Sequence, residues 1–244
     1  MYLVYFVVRM NFDMDLKGKR ALVTGGAVRI GRAITEALQA AGAEVVVQYR
    51  NSKEEAEALS PFAIRADLQS AEECARLIEE AGRLDILINN ASIFTKDSLA
   101  DSTPDRVRRE FNVNLFAPME LTRAFASRSG QGAVVNLLDR RIRCNDATCV
   151  PYSITKKGLA ELTKLAAVEY APDIRVNAVA PGPVLPPPGS AAESARELAG
   201  IIPLEELPTM ENIAEATLFL LRADAITGQV IYVDGGQHLL GNSV

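Results

Sequence analysis

Several features that would define a function on their own are scarce or missing in this chain of 244 residues. Its single histidine, His238, argues against a histidine-based zinc site and against a Ser-His-Asp triad, and we expect no metal. The three cysteines (Cys74, Cys144 and Cys149) supply neither a C-x-x-C motif nor a disulfide framework, so we expect free thiols in a reducing compartment. The 26 lysine and arginine residues are outnumbered by 31 aspartate and glutamate residues, which gives no support for nucleic-acid binding.

Long hydrophobic runs are missing as well. Met1 to Val8 is almost wholly apolar, but this stretch is too short to span a bilayer. It has no basic region before it and no small-residue cleavage site after it, so we do not expect a signal peptide. We treat residues 1–16 as an N-terminal extension, which is either packed or disordered chain or the result of a start placed upstream of Met10 or Met14. We expect a cytoplasmic protein with no membrane partner.

The composition itself is that of an ordinary globular domain, with 48% hydrophobic and 23% charged residues. Seven short apolar runs predict strands at Arg20–Thr24, Ala43–Tyr49, Phe62–Ala66, Leu84–Asn89, Gly132–Leu137, Ile174–Val179 and Gln229–Val233. Several of these runs are apolar throughout, which is typical of parallel strands covered on both faces.

Helical patterns separate the strands. They predict helices at 30–41, after capping boxes at Ser52–Glu55 and Ser70–Glu73, from Thr103-Pro104 to about Ser127, from about Tyr152 to Tyr170 and from about Glu211 to Arg222. This alternation predicts one α/β domain over residues 17–244, a doubly wound Rossmann fold with about seven parallel strands and helices on both faces. Residues 183–200 form either a substrate loop over the carboxyl edge of the sheet or an ordinary surface loop.

The first strand runs directly into a glycine-rich turn, Gly25-Gly-Ala-Val-Arg-Ile-Gly31, and then into a helix. Glycines at such a turn let the backbone approach a pyrophosphate, and the free N–H groups of the helix N-terminus favour an anion. We therefore predict cofactor contacts from Gly25, Arg29, Ile30 and Gly31.

The end of the second strand indicates which dinucleotide binds. Tyr49, Arg50, Asn51 and Ser52 stand where an NAD-specific site carries a carboxylate for the ribose 2′-hydroxyl. An arginine at this place suits a 2′-phosphate, so the sequence favours NADPH.

Further cofactor candidates follow the other strands: Asp67 and Leu68, then Asn90, Ala91 and Ser92, then Pro181 and Gly182. Asp67 either accepts a hydrogen bond from the adenine amino group or caps a turn. The asparagines either bond the cofactor and the neighbouring loops, or the loops alone.

Tyr152 and Lys156 stand four residues apart, so they share one helix face. A nearby cation lowers the pKa of a phenol, which suits the pair to proton transfer near neutral pH. Asp139 stands thirteen residues before the tyrosine, and it is either the third member of this site or a turn residue.

These residues together resemble the short-chain dehydrogenase/reductase family from about Lys17 to His238. The matching marks are Thr24-Gly25…Gly31, Asp67, Asn89-Asn90-Ala91, Asn114, Tyr152-x-x-x-Lys156, Pro181-Gly182 and Val233-Asp234-Gly235-Gly236. The resemblance implies that Tyr152 donates a proton, that Lys156 lowers the tyrosine pKa and holds the nicotinamide ribose, and that Asn114 holds a relay water. It also implies a homotetramer built through the long helices near 104–127 and 152–170.

Three departures from the common family pattern are similar to the pteridine reductase subgroup, whose members reduce dihydropterins or dihydrofolates with NADPH. They are Arg29 in place of a glycine, Ser92 followed by Phe94, and Asp139 in place of the usual serine. Gln48 departs from the histidine that some members carry.

The subgroup resemblance has a physical basis in the substrate. Phe94 could stack on a flat pterin, while Ser92 and Arg29 could bond its polar edge. A carboxylate at Asp139 would repel the oxyanion that forms on a ketone, and it suits reduction of a C=N bond. Two rival functions remain open: an NADPH-dependent carbonyl reductase, for instance for 3-oxoacyl thioesters, and a non-catalytic NADPH-binding sensor.

Overall fold

The structure is a computed structural model that describes residues 15–184 and 200–241. Seven strands form one sheet: β1 (Arg20–Thr24), β2 (Glu44–Tyr49), β3 (Ala63–Arg65), β4 (Ile86–Asn89), β5 (Gly132–Leu137), β6 (Ile174–Pro181) and β7 (Val230–Val233). Their order is β3-β2-β1-β4-β5-β6-β7, and every neighbouring pair is parallel. The predicted single-domain Rossmann fold is confirmed. The extension and the loop at 183–200 lie almost entirely outside the described residues.

Seven α-helices connect the strands in the described part of the chain. They are α1 (Arg29–Ala40), α2 (Lys53–Leu59), α3 (Ala71–Ala81), α4 (Pro104–Phe111), α5 (Ala117–Ser129), α6 (Val150–Glu169) and α7 (Met210–Arg222). Short 3₁₀ helices span Arg140–Arg143 and Gln237–Leu240. No helix within 15–184 or 200–241 is long and apolar enough to cross a membrane.

The sheet is buried between two layers of helices, which explains its apolar strands. On β2, Val45 and Val47 face a core that includes residues of α1 and α7, whereas Val46 faces a second core with residues of α3, α5 and α6. This alternation is the period-two pattern of a strand, here with both faces covered. The parallel pairing of the strands brings the carboxyl ends of all seven to one edge.

The predicted long helix from 103 to 127 is interrupted. A π-helical turn at Asn112–Phe116 separates α4 from α5. Pro118 follows directly, within a backbone that stays helical from α4 through the π-turn into α5, so it removes an N–H from a continuous helical ladder. π-Turns lie frequently at functional sites, and this one carries the buried Asn114.

Two predicted helix starts also differ in detail. The side chain of Ser52 makes no capping bond to α2, so its predicted capping box is wrong, whereas Ser70 caps α3 by accepting from the N–H of Glu73 at 3.2 Å. Helix α6 begins at Val150 rather than Tyr152, because Pro151 fits the first turn of a helix, where no intrahelical donor is needed.

Candidate active site

The residues predicted to hold the cofactor all lie at the carboxyl edge of the sheet. Gly25, Arg29, Ile30 and Gly31 follow β1; Tyr49, Arg50, Asn51 and Ser52 lie at the end of β2; Asp67 and Leu68 follow β3; Asn90, Ala91 and Ser92 follow β4; Pro181 and Gly182 lie at the end of β6.

The turn after β1 is closed so tightly that its glycines cannot be replaced without movement. Gly25 has φ of +58°, a left-handed conformation that favours glycine. A Cβ at Gly31 would lie 2.1 Å from the carbonyl oxygen of Gly25 and 2.6 Å from Nδ2 of Asn90. The N-terminus of α1 therefore presents bare backbone at its first turn, as a pyrophosphate site requires.

Arg29 begins α1 with φ of 54°, so a non-glycine residue adopts a left-handed conformation. Such a conformation costs about 1–3 kcal/mol and is concentrated at functional sites. Its side chain is exposed beside the helix N-terminus. The position that the wider family fills with glycine thus keeps a glycine-like backbone and adds a guanidinium.

Neutral hydrogen bonds brace this turn from both sides. Gln48 accepts from the N–H of Gly25 at 2.8 Å and donates to the carbonyl of Ala66 at 2.8 Å. Asn90 donates through Nδ2 to the carbonyl of Thr24 at 2.8 Å. Gln48 therefore has a bracing role that the sequence did not reveal, and the Asn90 side chain holds the neighbouring loop.

A charged pair lies at the ends of β2 and β3. Nε of Arg50 is 3.2 Å from Oδ2 of Asp67, whose other oxygen accepts from the N–H of Gln69 at 3.1 Å. Burial raises the pKa of Asp67, but the Gln69 hydrogen bonds and the Arg50 charge together lower it below its usual value. Arg50 is exposed and held at the place where a 2′-phosphate would be read.

At the end of β6, Gly182 allows close packing. Its N–H donates to the carbonyl of Val233 at 2.9 Å, and a Cβ there would lie 2.7 Å from Cα of Asp234. The glycine turn, its bare helix N-terminus and Arg50 together fit a dinucleotide with a 2′-phosphate.

The structure brings Tyr152, Lys156 and Asp139 together. The Tyr152 hydroxyl donates to Oδ2 of Asp139 at 3.0 Å. Nζ of Lys156 donates to the carbonyl of Leu137 at 2.8 Å and lies 5.8 Å from the centroid of the Tyr152 ring. Both Tyr152 and Lys156 are buried, so their charges are weakly solvated.

The pKa of Tyr152 is shifted in the direction opposite to the sequence expectation. Burial raises it well above its usual value, the Asp139 charge and hydrogen bond raise it further, and only Arg141 opposes them appreciably. Burial lowers the pKa of Lys156 to about 8, against the opposing charge of Asp139. The expected lowering by Lys156 does not decide the tyrosine pKa here, because burial and the carboxylate dominate, and it stays a prediction.

Asn114 bridges the segment after β4 to α6. Its Oδ1 accepts from the N–H of Ile93 at 2.8 Å and from the hydroxyl of Ser92 at 3.1 Å, and its Nδ2 donates to the carbonyl of Ile93 at 2.8 Å and to the hydroxyl of Thr155 at 3.4 Å. These contacts hold the segment that leads to Phe94. The relay-water role of Asn114 stays a prediction.

Phe94 lies at the open side of the tyrosine. The residue is 53% exposed, and its ring meets the Tyr152 ring edge-to-face, with centroids 4.8 Å apart and planes at 88°. An exposed aromatic ring beside a proton donor offers a stacking surface to a flat substrate. Ser92 is exposed two residues earlier.

Arg141 is a member of the site that the sequence analysis missed. Its Nη1 lies 3.1 Å from Oδ2 of Asp139, and its Nε lies 3.1 Å from Oδ2 of Asp146. The cluster of Arg140, Arg141 and Arg143 was visible, but only the fold shows which of them turns toward Asp139.

A buried phenol with a carboxylate and an ammonium, beside a glycine-rich nucleotide turn, defines a nicotinamide-dependent oxidoreductase. The chain belongs to the short-chain dehydrogenase/reductase family, and residues 26–238 match the family profile described as enoyl-(acyl carrier protein) reductase. The family predicted from the sequence is confirmed.

Individual relatives carry different substrates in their names. A protein assigned as a ketoacyl reductase of the granaticin polyketide synthase of Streptomyces violaceoruber is 36% identical over 90% of this chain and 96% of its own. L-xylulose reductase of Bos taurus is 35% identical over 92% and 98%. The solved structure of FolM alternative dihydrofolate reductase 1 from Brucella canis, complexed with NADP, has a TM-score of 0.86 at 32% identity and covers 92% of this chain and 96% of its own.

Similar solved structures hold NADP or NADPH, which confirms the predicted cofactor class. The relatives do not agree on a substrate. In the part of the chain that the structure describes, no group of three or more histidine, cysteine, aspartate or glutamate side chains is placed to hold a metal ion.

Proposed function

We propose that this protein is an NADPH-dependent reductase of the C=N bond of a dihydropterin or dihydrofolate. The observation that carries the proposal is the 3.0 Å hydrogen bond from the Tyr152 hydroxyl to the Asp139 carboxylate. The proton donor of the site therefore has a carboxylate as its partner, where carbonyl-reducing members of the family have a serine.

The chemistry of the two substrates decides what such a carboxylate does. A ketone gains negative charge on oxygen as hydride arrives, and a neighbouring carboxylate destabilises that charge. A C=N bond gains basicity at nitrogen instead, so it needs a proton rather than an oxyanion donor. Asp139 therefore disfavours simple ketones more than it disfavours an imine-like ring.

The cofactor would be held by the bare turn at Gly25 and Gly31, by Arg29 and by Arg50, with Lys156 at the nicotinamide ribose. When bound, the reduced nicotinamide supplies a hydride. The chain itself supplies the proton, from Oη of Tyr152 to the ring nitrogen. The high pKa of Tyr152 keeps the phenol protonated and ready to donate at neutral pH.

Asp139 orients the donor and restores it. Its Oδ2 accepts the hydrogen bond from the Tyr152 hydroxyl, and its side chain is only partly buried. A solvent proton can reach the carboxylate and pass to the tyrosine oxygen after each turnover. Lys156, fixed by the Leu137 carbonyl, places a positive charge on the same side of the site, with Nζ 5.8 Å from the centroid of the ring that loses its proton.

The substrate would lie against Phe94. Its ring is half exposed next to Tyr152, so a flat heterocycle stacked on it would have its nitrogen near the hydroxyl. Ser92 and Arg29 would bond the polar edge. The likeness to FolM alternative dihydrofolate reductase 1 supports this class of substrate.

A second candidate is a carbonyl reductase, for instance of 3-oxoacyl thioesters. The relative assigned as a ketoacyl reductase and the description of the family profile favour it. A non-catalytic NADPH sensor is disfavoured, because Tyr152 and Lys156 are both retained and both buried at the site.

We further propose a homotetramer that associates through α4, α5 and α6. α5 and α6 carry the apolar side chains Met119, Leu165 and Val168, which are exposed in the single chain. Exposed apolar side chains are expected on a surface that another subunit covers. Sedimentation equilibrium of the purified protein measures the assembly, and a monomer at micromolar concentration would contradict this proposal.

Oxidation of NADPH by the purified protein tests the function. The substrates are dihydrobiopterin, dihydromonapterin and dihydrofolate, compared with acetoacetyl thioesters and L-xylulose. We expect turnover of at least one pterin or folate. Turnover of carbonyl compounds alone would replace the proposal with the second candidate.

The Asp139→Ser variant tests the observation directly. It should reduce kcat/KM for the pterin by about tenfold or more and raise relative activity on carbonyl compounds, because a neutral donor replaces the carboxylate. Asp173→Ser is the matched control, since Asp173 is exposed just before β6, at the opposite edge of the sheet. Equal effects of the two substitutions would show that Asp139 has no part in substrate choice.

A further inference from the structure

One guanidinium group contacts three parts of the catalytic side of the site. Arg141 pairs with Asp139 through Nη1 at 3.1 Å and with Asp146 through Nε at 3.1 Å. Its Cζ also lies 5.6 Å from the centroid of the Phe94 ring, within cation–π distance. These partners come from the segment after β5, the segment before α6 and the segment after β4.

The carboxylate of Asp139 is held almost entirely by this arginine. Its Oδ1 accepts from the backbone N–H of Arg141 at 2.8 Å, and Nη1 of Arg141 contacts both of its oxygens at 3.4 and 3.1 Å. The remaining donor is the Tyr152 hydroxyl. Without the guanidinium, the carboxylate would keep the backbone bond from Arg141 and the bond from the phenol, but it would lose both side-chain contacts that fix its rotation.

Asp146 anchors the other end of the arginine. Its Oδ1 accepts from the N–H of Thr148 at 2.9 Å and from the Thr148 hydroxyl at 2.6 Å. Burial alone would raise the pKa of Asp146, but the bonds from Thr148 and Arg141 bring it well below its usual value. Burial alone would likewise lower the pKa of Arg141, but Asp139 and Asp146 raise it above its usual value. The contact is therefore one cation between two carboxylates.

We propose that Arg141 is a positioning residue, which together with Asp146 holds the Asp139 carboxylate against the Tyr152 hydroxyl and holds the Phe94 ring beside it. The first part depends only on Tyr152 as the proton donor. The second part rests on the proposed function, because it assigns Phe94 to a flat substrate. Arg141 acts through Asp139 and Phe94 and needs no contact with the reacting atoms.

The charges around Tyr152 give this role a pH signature. Burial, Asp139 and Cys149 raise the tyrosine pKa, Arg141 lowers it, and Nζ of Lys156 lies 5.8 Å from the ring centroid. Loss of a neighbouring positive charge raises the pKa of any titrating group. Removing Arg141 should therefore move to higher pH the alkaline limb that Tyr152 sets, which lies above the decline near pH 8 that loss of the Lys156 charge causes.

The chain supplies a control two residues away. Arg143 ends the same 3₁₀ helix, is exposed and forms no ion pair within 15–184 and 200–241. The variants are Arg141→Met, Arg141→Lys and Arg143→Met. The readouts are NADPH affinity by fluorescence, kcat and KM over a range of pH, and circular dichroism.

Arg141→Met should lower kcat by about tenfold to hundredfold, the loss of a charge-assisted hydrogen bond, while NADPH affinity changes less than twofold. KM for an aromatic substrate should rise as Phe94 loses its neighbour. Arg141→Lys should retain the alkaline limb but only part of kcat, because a lysine cannot bridge two carboxylates in the plane of a guanidinium. Arg143→Met should match the wild type.

The proposal fails if Arg141→Met and Arg143→Met have the same kcat and the same alkaline limb. If Arg141→Met does not fold, Arg141→Lys and Asp146→Asn carry the test, and wild-type kcat in both would overturn the proposal.

These measurements use whichever substrate the wild type reduces, so a failure of the pterin proposal leaves the comparison of kcat and pH intact. Ultraviolet titration of Tyr152, corrected with a Tyr152→Phe background, compares the variants without any substrate. An unchanged tyrosine titration in Arg141→Met would also contradict the role.

Discussion

The nucleotide half and the proton half of the site are held in place by different kinds of interaction. The nucleotide half at the ends of β1 and β4 is held by backbone geometry and by neutral hydrogen bonds from Gln48 and Asn90. The proton half at β5 and α6 is held by charges on Asp139, Arg141 and Lys156. Shape therefore controls the glycine turn, where the Arg50–Asp67 pair adds charge only at the ends of β2 and β3, whereas pH and charge control the proton half.

Tyr152→Phe should have the largest effect on kcat, and it should affect only the proton half and not NADPH binding. The substitution removes the proton donor, so kcat should fall by about 10²–10⁴-fold, the usual contribution of general acid catalysis. NADPH affinity, measured by fluorescence, should be unchanged because the nucleotide half keeps all its contacts. Full turnover in the variant would show that another group supplies the proton.

Gly31→Ala should damage only the nucleotide half. Its Cβ would lie 2.1 Å from the Gly25 carbonyl oxygen, and moving the turn to relieve such an overlap costs about 1–3 kcal/mol, which would lower NADPH affinity by about fivefold to 150-fold. The pH dependence of kcat, which reports on the proton half, should not change.

Gly82→Ala is the control for this substitution. Gly82 has φ of +75° but no atom within 4 Å of an added Cβ, so it carries backbone strain without a clash. It should lower stability by about 1–3 kcal/mol, because φ of 75° with ψ of −148° suits only glycine, and it should leave NADPH binding intact. If both alanines weaken NADPH equally, the effect is loss of stability rather than closure of the turn.

A change of pH should give the smallest effect, and only in the proton half. The pKa of Lys156 is lowered to about 8, so its positive charge is lost as pH rises through that value. With the charge gone, kcat/KM should decline several-fold between pH 7 and 9, whereas an activity that is flat across this range would contradict the role of the ammonium. Lys157→Met, which alters an exposed neighbour, should keep the same profile.

The same division explains what the sequence could predict. Gly25, Gly31 and the Tyr152–Lys156 spacing are local patterns whose geometry follows from a strand, a turn and a helix. The pairing of Arg141 with Asp146 and the raised pKa of Tyr152 depend on burial and on side chains brought together by tertiary packing. No spacing rule contains that information.

Helix starts show a similar limit. Ser70 accepts from the N–H of Glu73, but the Glu73 side chain accepts from the N–H of Asp67, so only half of that predicted capping box forms. Ser52 matches the same motif and makes no capping bond. The motif shows that a serine hydroxyl and a backbone N–H are available for a capping bond. The path of the chain after β2 decides whether the two groups come within bonding distance.

The π-turn at Asn112–Phe116 has a further consequence for the helix in which it lies. One extra residue in a turn advances the angular phase of everything after it by about 100°, since an α-helix turns once every 3.6 residues. The apolar stripe of α5 is therefore out of phase with that of α4. The inserted residue lets one continuous helix make two different contacts. Its first part, α4, bonds the segment after β4, and its second part, α5, packs Leu121 and Phe125 against the sheet. Length at this point is thus a constraint on the chain as strict as the identity of any side chain.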